Sequence, residues 1–382
     1  MNTTHFNQIV KHYIERFEYL NNNEHWEYYK WKICGQFRSV MDAALSASAE
    51  AFPDALYEAK KLSKNLIDSV TQPFAGLVEF AKREPETVRR MFLDLYADDG
   101  GNYQVKQQKV QDFLQKSHAL RDQYFAGSWM YTDDSHSVSG YAFLYDPDHN
   151  CLFKSTQARV FADCIGFMED WGYGAATHLD VFYRMCDEVV AQIQKTPELL
   201  KTDASRFDRN VFPDADQFHP DKAKHILCFD LIYCSTVYHL FHGITFKPIS
   251  LQEKKLYAEK VKIALERKRE YVQAKEREYA LSDALDALQT ILAPGTQVTH
   301  KSFGIGVVRE VHDEILLIEF MKSGLKTLGI AGTIGAGLSR TGNSNSDAWL
   351  NQNQSLLRDA SQIPKRVKQA EQNLIPYTDY LE

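Results

Sequence analysis

The spacing of apolar residues predicts helices over most of the first 125 residues. Between Phe6 and Leu20, apolar side chains recur every three or four positions, as on one face of an amphipathic helix. Pro53, Pro73 and Pro85 each suit the first turn of a further helix. The pattern therefore indicates a mainly helical N-terminal domain.

A different pattern follows Gly127. Two short apolar runs, residues 141–145 and 151–154, flank the turn-forming sequence Asp-Pro-Asp-His-Asn, which predicts a β-hairpin inserted in the helical domain. The later apolar run His225–Ile244 is compatible with a buried helix or with strands, and its length favours the helix.

Residues 250–292 are dense in Lys, Glu, Arg and Ala, which predicts one long charged helix or a helical hairpin. Their apolar positions do not keep a strict heptad, so a solvated connecting helix is favoured over a dimeric coiled coil. The sequence Ala-Pro-Gly at 293–295 ends this segment and marks a domain boundary.

Short β-branched runs follow this boundary. Residues 296–308, 314–320 and 325–328 predict three or four strands joined by tight turns, and closure into a small five-stranded barrel would remove exposed strand edges. Residues 332–382 are read as a polar tail with one helix at about 355–373. The predicted fold class is α+β, with segments at 1–249, 250–292, 294–331 and 332–382.

Charge and composition narrow the range of functions. Residues 1–249 carry a net charge of −8 and residues 250–292 carry +1, whereas the two C-terminal segments are neutral. This distribution argues against a protein that coats nucleic acid through phosphate contacts, although it leaves room for a local basic patch. Neither a membrane span nor a signal peptide is expected, and six cysteines without a CxxC pair indicate reduced thiols in the cytoplasm.

The strand-rich segment carries a recognisable motif. The sequence V-x-H-x-x-F-G-x-G-x-V from Val298 to Val308, followed by Phe320 and the strand G-x-K-x-L at 324–328, resembles the Tudor/SH3-like C-terminal domain of UvrD/PcrA-type helicases. It is also similar to the small barrel of CarD-type transcription factors. The resemblance implies a non-catalytic contact module for RNA polymerase or nucleic acid. The alternative is a barrel that serves only as a spacer or as a docking surface inside this protein. The candidate nucleic-acid or partner-binding residues are His300, Lys301, Phe303, Arg309, Lys322 and Lys326.

A second resemblance lies in the N-terminal region. Residues 22–31, 80–92 and 141–147 look like the region that precedes the AAA+ motor in McrB-like restriction proteins, over residues 1–245. In that family the region serves target recognition or assembly. The motor is absent here, since the sequence has no G-x-x-x-x-G-K-[ST] phosphate loop. The resemblance thus implies a prokaryotic, defence-related setting rather than an enzyme.

Two further groups of residues could carry chemistry. Four aromatic residues around the predicted hairpin could form a base-stacking pocket, although core packing is the simpler use. Six potential ligands lie within residues 219–242, but their spacing matches no usual zinc site, so buried thiols and hydrogen-bonded histidines are favoured and no metal or cofactor is expected. The aromatic residues are Trp129, Tyr131, Tyr141 and Tyr145, and the potential ligands are His219, His225, Cys228, Cys234, His239 and His242.

These observations favour a non-catalytic recognition or adaptor protein that uses the small barrel to contact DNA or a nucleic-acid-processing complex. No catalytic motif is recognised in the sequence. The alternatives are an enzyme that acts through the histidines and cysteines of residues 219–242, and a structural oligomer held together by the helix at 250–292.

Overall fold

The computed structural model describes residues 1–67, 69–312, 315–335 and 337–381. The chain is mostly helical, with one small antiparallel sheet in the described residues, and its fold class is α+β. No helix in these described ranges is both long enough and apolar enough to cross a membrane.

The chain forms two compact units, each with its own hydrophobic core. The N-terminal unit comprises Met1–Lys255 and the C-terminal unit comprises Leu256–Glu382. The predicted boundary after residue 249 lies close to this division. The segments predicted as barrel and tail share one core in the C-terminal unit with the second half of the long helix.

Helices make up most of the N-terminal unit. Proline occupies the first turn of four of them, where its missing N–H costs no helical hydrogen bond. Its α-helices are α1 (Thr3–Glu15), α2 (Phe17–Leu20), α3 (Tyr29–Ser46), α4 (Phe52–Ile67), α5 (Pro73–Ala81), α6 (Pro85–Tyr96), α7 (Tyr103–Tyr124), α8 (Ser135–Tyr145), α9 (Ser155–Ile165), α10 (Leu179–Gln194), α11 (Pro197–Ala204) and α12 (His225–Val237).

The β-hairpin predicted at 141–154 is wrong, because residues 141–145 form the second half of α8. Asp134 begins this helix with a capping box: its carboxylate accepts the Ser137 N–H, and the Ser137 hydroxyl accepts the Asp134 N–H. Nearly every residue of α8 is buried, so the helix has no solvent-exposed face. The sequence of such a helix carries no periodic contrast between a buried and an exposed face, so the apolar run at 141–145 cannot be distinguished from a buried strand.

The C-terminal unit packs a five-stranded antiparallel sheet against helices. The long helix is unbroken, which agrees with the long-helix alternative. The expected single helix at 355–373 is instead the end of one helix and nearly all of another, because Pro364 cannot continue the first. The elements are α13 (Leu251–Ile291), β1 (Gln297–His300), β2 (Gly304–His312), β3 (Ile315–Phe320), β4 (Gly324–Gly329), α14 (Ile330–Gly335), β5 (Leu338–Arg340), α15 (Ser344–Arg358) and α16 (Ile363–Leu374).

The strands follow the order β4-β3-β2-β1-β5, so β4 and β5 are the edges of an open sheet. The first four strands lie in the segment predicted to form the barrel, whereas β5 comes from the segment predicted to be a polar tail. Asp313 and Glu314 lie outside the described residues, and Glu314 is the first residue of the strand predicted at 314–320.

Candidate docking surface

The sheet has one buried face and one face open to solvent. Side chains alternate between the two faces along each strand. Val308 in β2 and Leu316, Ile318 and Phe320 in β3 are at most 1% exposed and share a core with Leu288 of α13. The residues between them lie on the other face, called the outer face below.

Exposed apolar side chains are frequent on the outer face. Ile305 is 44% exposed, Ile315 47% and Leu325 58%, and Met321 in the turn between β3 and β4 is 81% exposed. Met321 lies beside Ile305, because its N–H donates to the Ile305 carbonyl at 3.0 Å. Exposed apolar side chains on one face of a sheet are a feature of protein-binding sites.

The charges on the outer face are largely paired. A bulge between Val308 and Glu310 sets Arg309 out of the regular pairing of β2 with β3. The Arg309 guanidinium donates to the Glu319 carboxylate, with Nε 2.8 Å from Oε2. This predicted site residue therefore contributes a neutral ion pair to the outer face rather than a free cation.

Two predicted site residues support the sheet from within. His300 is 5% exposed, and its ring stacks on Phe303 with centroids 4.8 Å apart. The His300 Nδ1 accepts the Ser302 N–H at 3.1 Å. The ring of Phe303 also lies 5.2 Å from that of Phe320. These residues therefore pack the first turn of the sheet.

The three predicted lysines are divided between two positions. Lys301 and Lys322 are exposed in the turns β1–β2 and β3–β4, at the same end of the sheet. Lys326 lies in the edge strand β4 opposite the buried Ile318, so its side chain starts on the core-facing side. A lysine directed inward at an edge strand opposes further strand pairing. The sheet thus has only a sparse basic edge.

The predicted aromatic pocket is not assembled. Tyr141 is a core residue that donates to the buried Asp133 carboxylate at 2.9 Å. Tyr145 stacks on Tyr96 with centroids 3.8 Å apart. The other two members have different surroundings, since Trp129 is 62% exposed and Tyr131 packs against Phe125.

The histidines and cysteines of residues 219–242 do not converge on a common centre. His219 Nδ1 accepts the Asp221 N–H at 3.0 Å, whereas His225 Nδ1 lies 2.8 Å from the Pro147 carbonyl. Cys228 and Cys234 are buried, and burial raises the pKa of the Cys234 thiol. This arrangement offers no zinc site of the considered kind.

The part of the chain that the structure describes contains one compact group of three potential metal ligands: Glu27, Asp230 and Cys234. The Lys30 ammonium already lies against both carboxylates and is 2.7 Å from Glu27 Oε2. A cation would have to displace this buried ammonium, so the group fits an ion-pair network better than a metal centre.

Sequence analysis missed this network, which is fully buried in the N-terminal unit. Asp230 accepts hydrogen bonds from the Lys30 ammonium and the Tyr13 hydroxyl, and Arg206 Nη2 lies 3.4 Å from it. Arg206 also pairs with Asp203. Burial alone would raise the pKa of Asp230, but the charges of Lys30 and Arg206 outweigh it and hold that pKa below its usual value.

One feature of the sequence could have revealed the network. Asp230 is a single carboxylate within the apolar run Ile226–Cys234, and Lys30 stands between two aromatic residues. A charge at a core position of a helix needs a buried partner of opposite charge. The sequence therefore contains the two partners, although it cannot show that they meet.

Known proteins provide no identification. No family model matches the chain, and comparisons with curated proteins and with solved structures likewise find no match.

Proposed function

We propose that the chain is a non-catalytic adaptor that docks a protein component of a nucleic-acid-processing complex on the outer face of its sheet. The observation that carries the proposal is the group of exposed apolar side chains on that face: Ile305, Ile315, Met321 and Leu325. Burial of such side chains in an interface is favourable by roughly 25 cal/mol per Å² of apolar surface.

The strand connectivity supports the proposed SH3/Tudor-like character. A meander of β1 to β4 is followed by the short helix α14, and β5 then returns beside β1. In the helicases and CarD-type factors that the motif resembles, such a module contacts RNA polymerase or nucleic acid. The McrB-like resemblance of residues 1–245 adds a prokaryotic, defence-related setting to this proposal.

The charge distribution favours a protein partner over DNA. Arg309 is paired with Glu319, and His300 is buried in the sheet core. Of the other predicted cations, Lys301 and Lys322 are exposed, whereas the Lys326 side chain starts on the core-facing side of β4. Phosphate binding draws its free energy from several such cations, so this surface is a poor match for a DNA backbone.

Binding of the full chain to bacterial RNA polymerase and to double-stranded DNA, measured at about 50 and 200 mM salt, tests the proposal. We expect polymerase binding that changes little with salt. The L325E variant should weaken it at least about tenfold, because a carboxylate would be buried in the apolar interface.

The matched control is I375E, which changes an exposed apolar residue of the same unit away from the sheet and should bind like the unaltered chain. Polymerase binding that L325E leaves unchanged would contradict the docking surface. DNA binding that falls steeply with salt would replace the protein partner with a nucleic acid.

A second candidate function, a structural oligomer, is favoured by one observation on α13. Leu265, Val272 and Tyr279 are spaced seven residues apart and are 55%, 44% and 66% exposed. Val272 and Tyr279 each lie nine residues, or about half a helical rotation, from a buried residue on the packed side of α13, Leu281 and Leu288 respectively. An exposed apolar row at this spacing is typical of a helix–helix interface.

A further inference from the structure

The N-terminal unit contains a cleft of about 520 Å³. None of its lining residues belongs to the sheet or to the proposed docking surface. One side comes from α2 and the loop that follows it, including Glu18 and Asn21. The other side comes from residues 211–218, before α12. Aromatic and acidic side chains dominate its lining, and this combination determines which ligand it can hold.

Three mutually packed rings form the aromatic side of the cleft. The Tyr28 ring lies 5.1 Å from Phe212 and 5.8 Å from Phe218, and the latter pair is nearly parallel. Phe212 and Phe218 are 6% and 7% exposed, so the protein fixes them in place. Tyr28 is half-buried, and its hydroxyl has no hydrogen-bond partner within the described ranges. An aromatic face of this kind attracts cations as well as flat groups.

The floor of the cleft is rigid and already hydrogen-bonded. The Asn21 side chain donates to the Phe17 carbonyl at 2.8 Å and accepts a hydrogen bond from the buried Arg206. The Arg206 guanidinium in turn lies 3.9 Å from the centre of the Trp31 ring. Asn21 therefore has little hydrogen-bonding capacity left. Hydrogen bonds and ion pairs to a polar ligand would have to come from side chains at the rim of the cleft.

The rim carries two carboxylates in different states. Asp214 is paired with Lys32, whose Nζ lies 2.5 Å from Oδ2. Glu18 is exposed and forms no ion pair with any residue that the structure describes. One uncompensated negative charge thus stands beside an aromatic wall, in a segment with a net charge of −8 over residues 1–249. This site would repel an anion and attract a cation.

We infer that the cleft binds the guanidinium of an arginine side chain presented by a peptide. A guanidinium is flat and weakly hydrated, so it stacks on rings such as Tyr28 while its N–H groups donate to a carboxylate such as Glu18. An ammonium group lacks the planar face, and a neutral ring would leave the Glu18 charge without a partner.

Calorimetric titration of the full chain with the peptide acetyl-Gly-Gly-Arg-Gly-Gly-amide tests this inference. The control peptide carries citrulline, which has nearly the same shape as arginine but no charge. We expect the arginine peptide to bind about tenfold more tightly, a difference of about 1.4 kcal/mol, because only the charged guanidinium gains the cation–π and ionic contacts.

Two variants with opposite expected effects make the test specific. E18Q should weaken arginine binding about three- to tenfold, because it removes the free carboxylate. K32M should strengthen it by a few fold, because it releases Asp214 from its ion pair. E24Q, an exposed carboxylate close to Glu18 in the chain that does not line the cleft, is the matched control and should leave binding unchanged.

Equal binding of the two peptides would overturn the inference, as would weaker arginine binding by K32M. Absence of measurable binding by the arginine peptide would also overturn it. None of these results bears on polymerase docking, which depends on the sheet of the C-terminal unit.

Discussion

At the scale of single residues, the buried charges of the N-terminal unit are held by mutual pairing. Lys30 is fully buried, and burial alone would lower the pKa of its ammonium. The nearby Asp230 and Glu27 carboxylates reverse this effect and raise that pKa, so Lys30 stays charged. The stability of the unit therefore depends on keeping opposite charges together.

We expect K30M to destabilise the N-terminal unit by about 3–5 kcal/mol, because Asp230 and Glu27 would lose a buried counter-charge. Urea unfolding followed by circular dichroism measures this change. K32M removes a lysine two residues away whose side chain is 34% exposed, and it should cost at most about 1 kcal/mol. Similar effects of the two variants would show that burial of the Lys30 ion pairs makes no additional contribution to stability.

His136 predicts a pH dependence of stability. Burial, together with the charge of Lys154, lowers the pKa of His136 to about 4, and its Nε2 lies 3.2 Å from the Leu66 carbonyl. An unfolded histidine binds a proton near pH 6.5, so between about pH 6.5 and 4 the unfolded chain binds more protons than the folded chain. The contribution of His136 to the free energy of unfolding is therefore fully present above pH 6.5 and is lost as the pH falls towards 4.

This loss amounts to up to roughly 3 kcal/mol across that window. Urea midpoints measured from pH 7.5 to 4 should show a shallower acid decline in H136Q than in the unaltered chain. Parallel declines in the two proteins would indicate that His136 titrates normally in the folded state.

At the scale of elements, the pairing of the second and third strands of the sheet depends on a glycine. A Cβ at Gly306 would lie 2.7 Å from Phe320 Cδ1 and 2.9 Å from Ile318 Cγ2. Since both neighbours belong to the core face of β3, they have little room to move. Gly306 in the F-G-x-G motif therefore permits close packing of β2 on β3.

We expect G306A to destabilise the C-terminal unit by about 1–3 kcal/mol, the usual cost of overpacking a core. The control is G329A in β4, where a Cβ would meet no atom within 4 Å. Thermal unfolding monitored by circular dichroism compares the two variants. If G329A is as damaging as G306A, the effect comes from backbone preference rather than from crowding.

Sequence patterns predicted the amphipathic elements and failed where periodicity was absent. The segment from Phe6 to Leu20 forms helices with one buried face and one solvent-exposed face. This difference appears in the sequence as regularly spaced apolar residues. In α8 both faces are buried, so the sequence carries no such contrast. The short strand β5 has only three residues, too few for an alternating pattern to stand out.

The candidate site was predictable in position but not in composition. The sequence predicted a binding surface on the strand-rich segment, with particular cationic and aromatic residues as its members. The pairing register decides which side chains reach solvent, and it places His300 inside and Leu325 outside. The cleft beside Tyr28 could not be foreseen, because its two sides lie about 190 residues apart in the chain.

At the scale of the whole molecule, the proposed self-association depends on α13. If the row Leu265, Val272 and Tyr279 meets a second copy, sedimentation should give about twice the chain mass of 43.9 kDa. V272E should then restore the single-chain mass, because a carboxylate at the centre of the interface is costly to bury. I375E is again the control, and a single-chain mass for the unaltered protein would exclude the oligomer.

The buried ionic network also constrains how the sequence can vary. Loss of either Lys30 or Asp230 leaves a charge stranded in the interior, and loss of both still leaves Glu27 without Lys30 and Arg206 without one of its two carboxylates. Substitutions at these positions are therefore disfavoured unless the other members of the network change with them. In related chains we expect the two residues to be retained or exchanged together, so that positions 200 residues apart evolve as one unit.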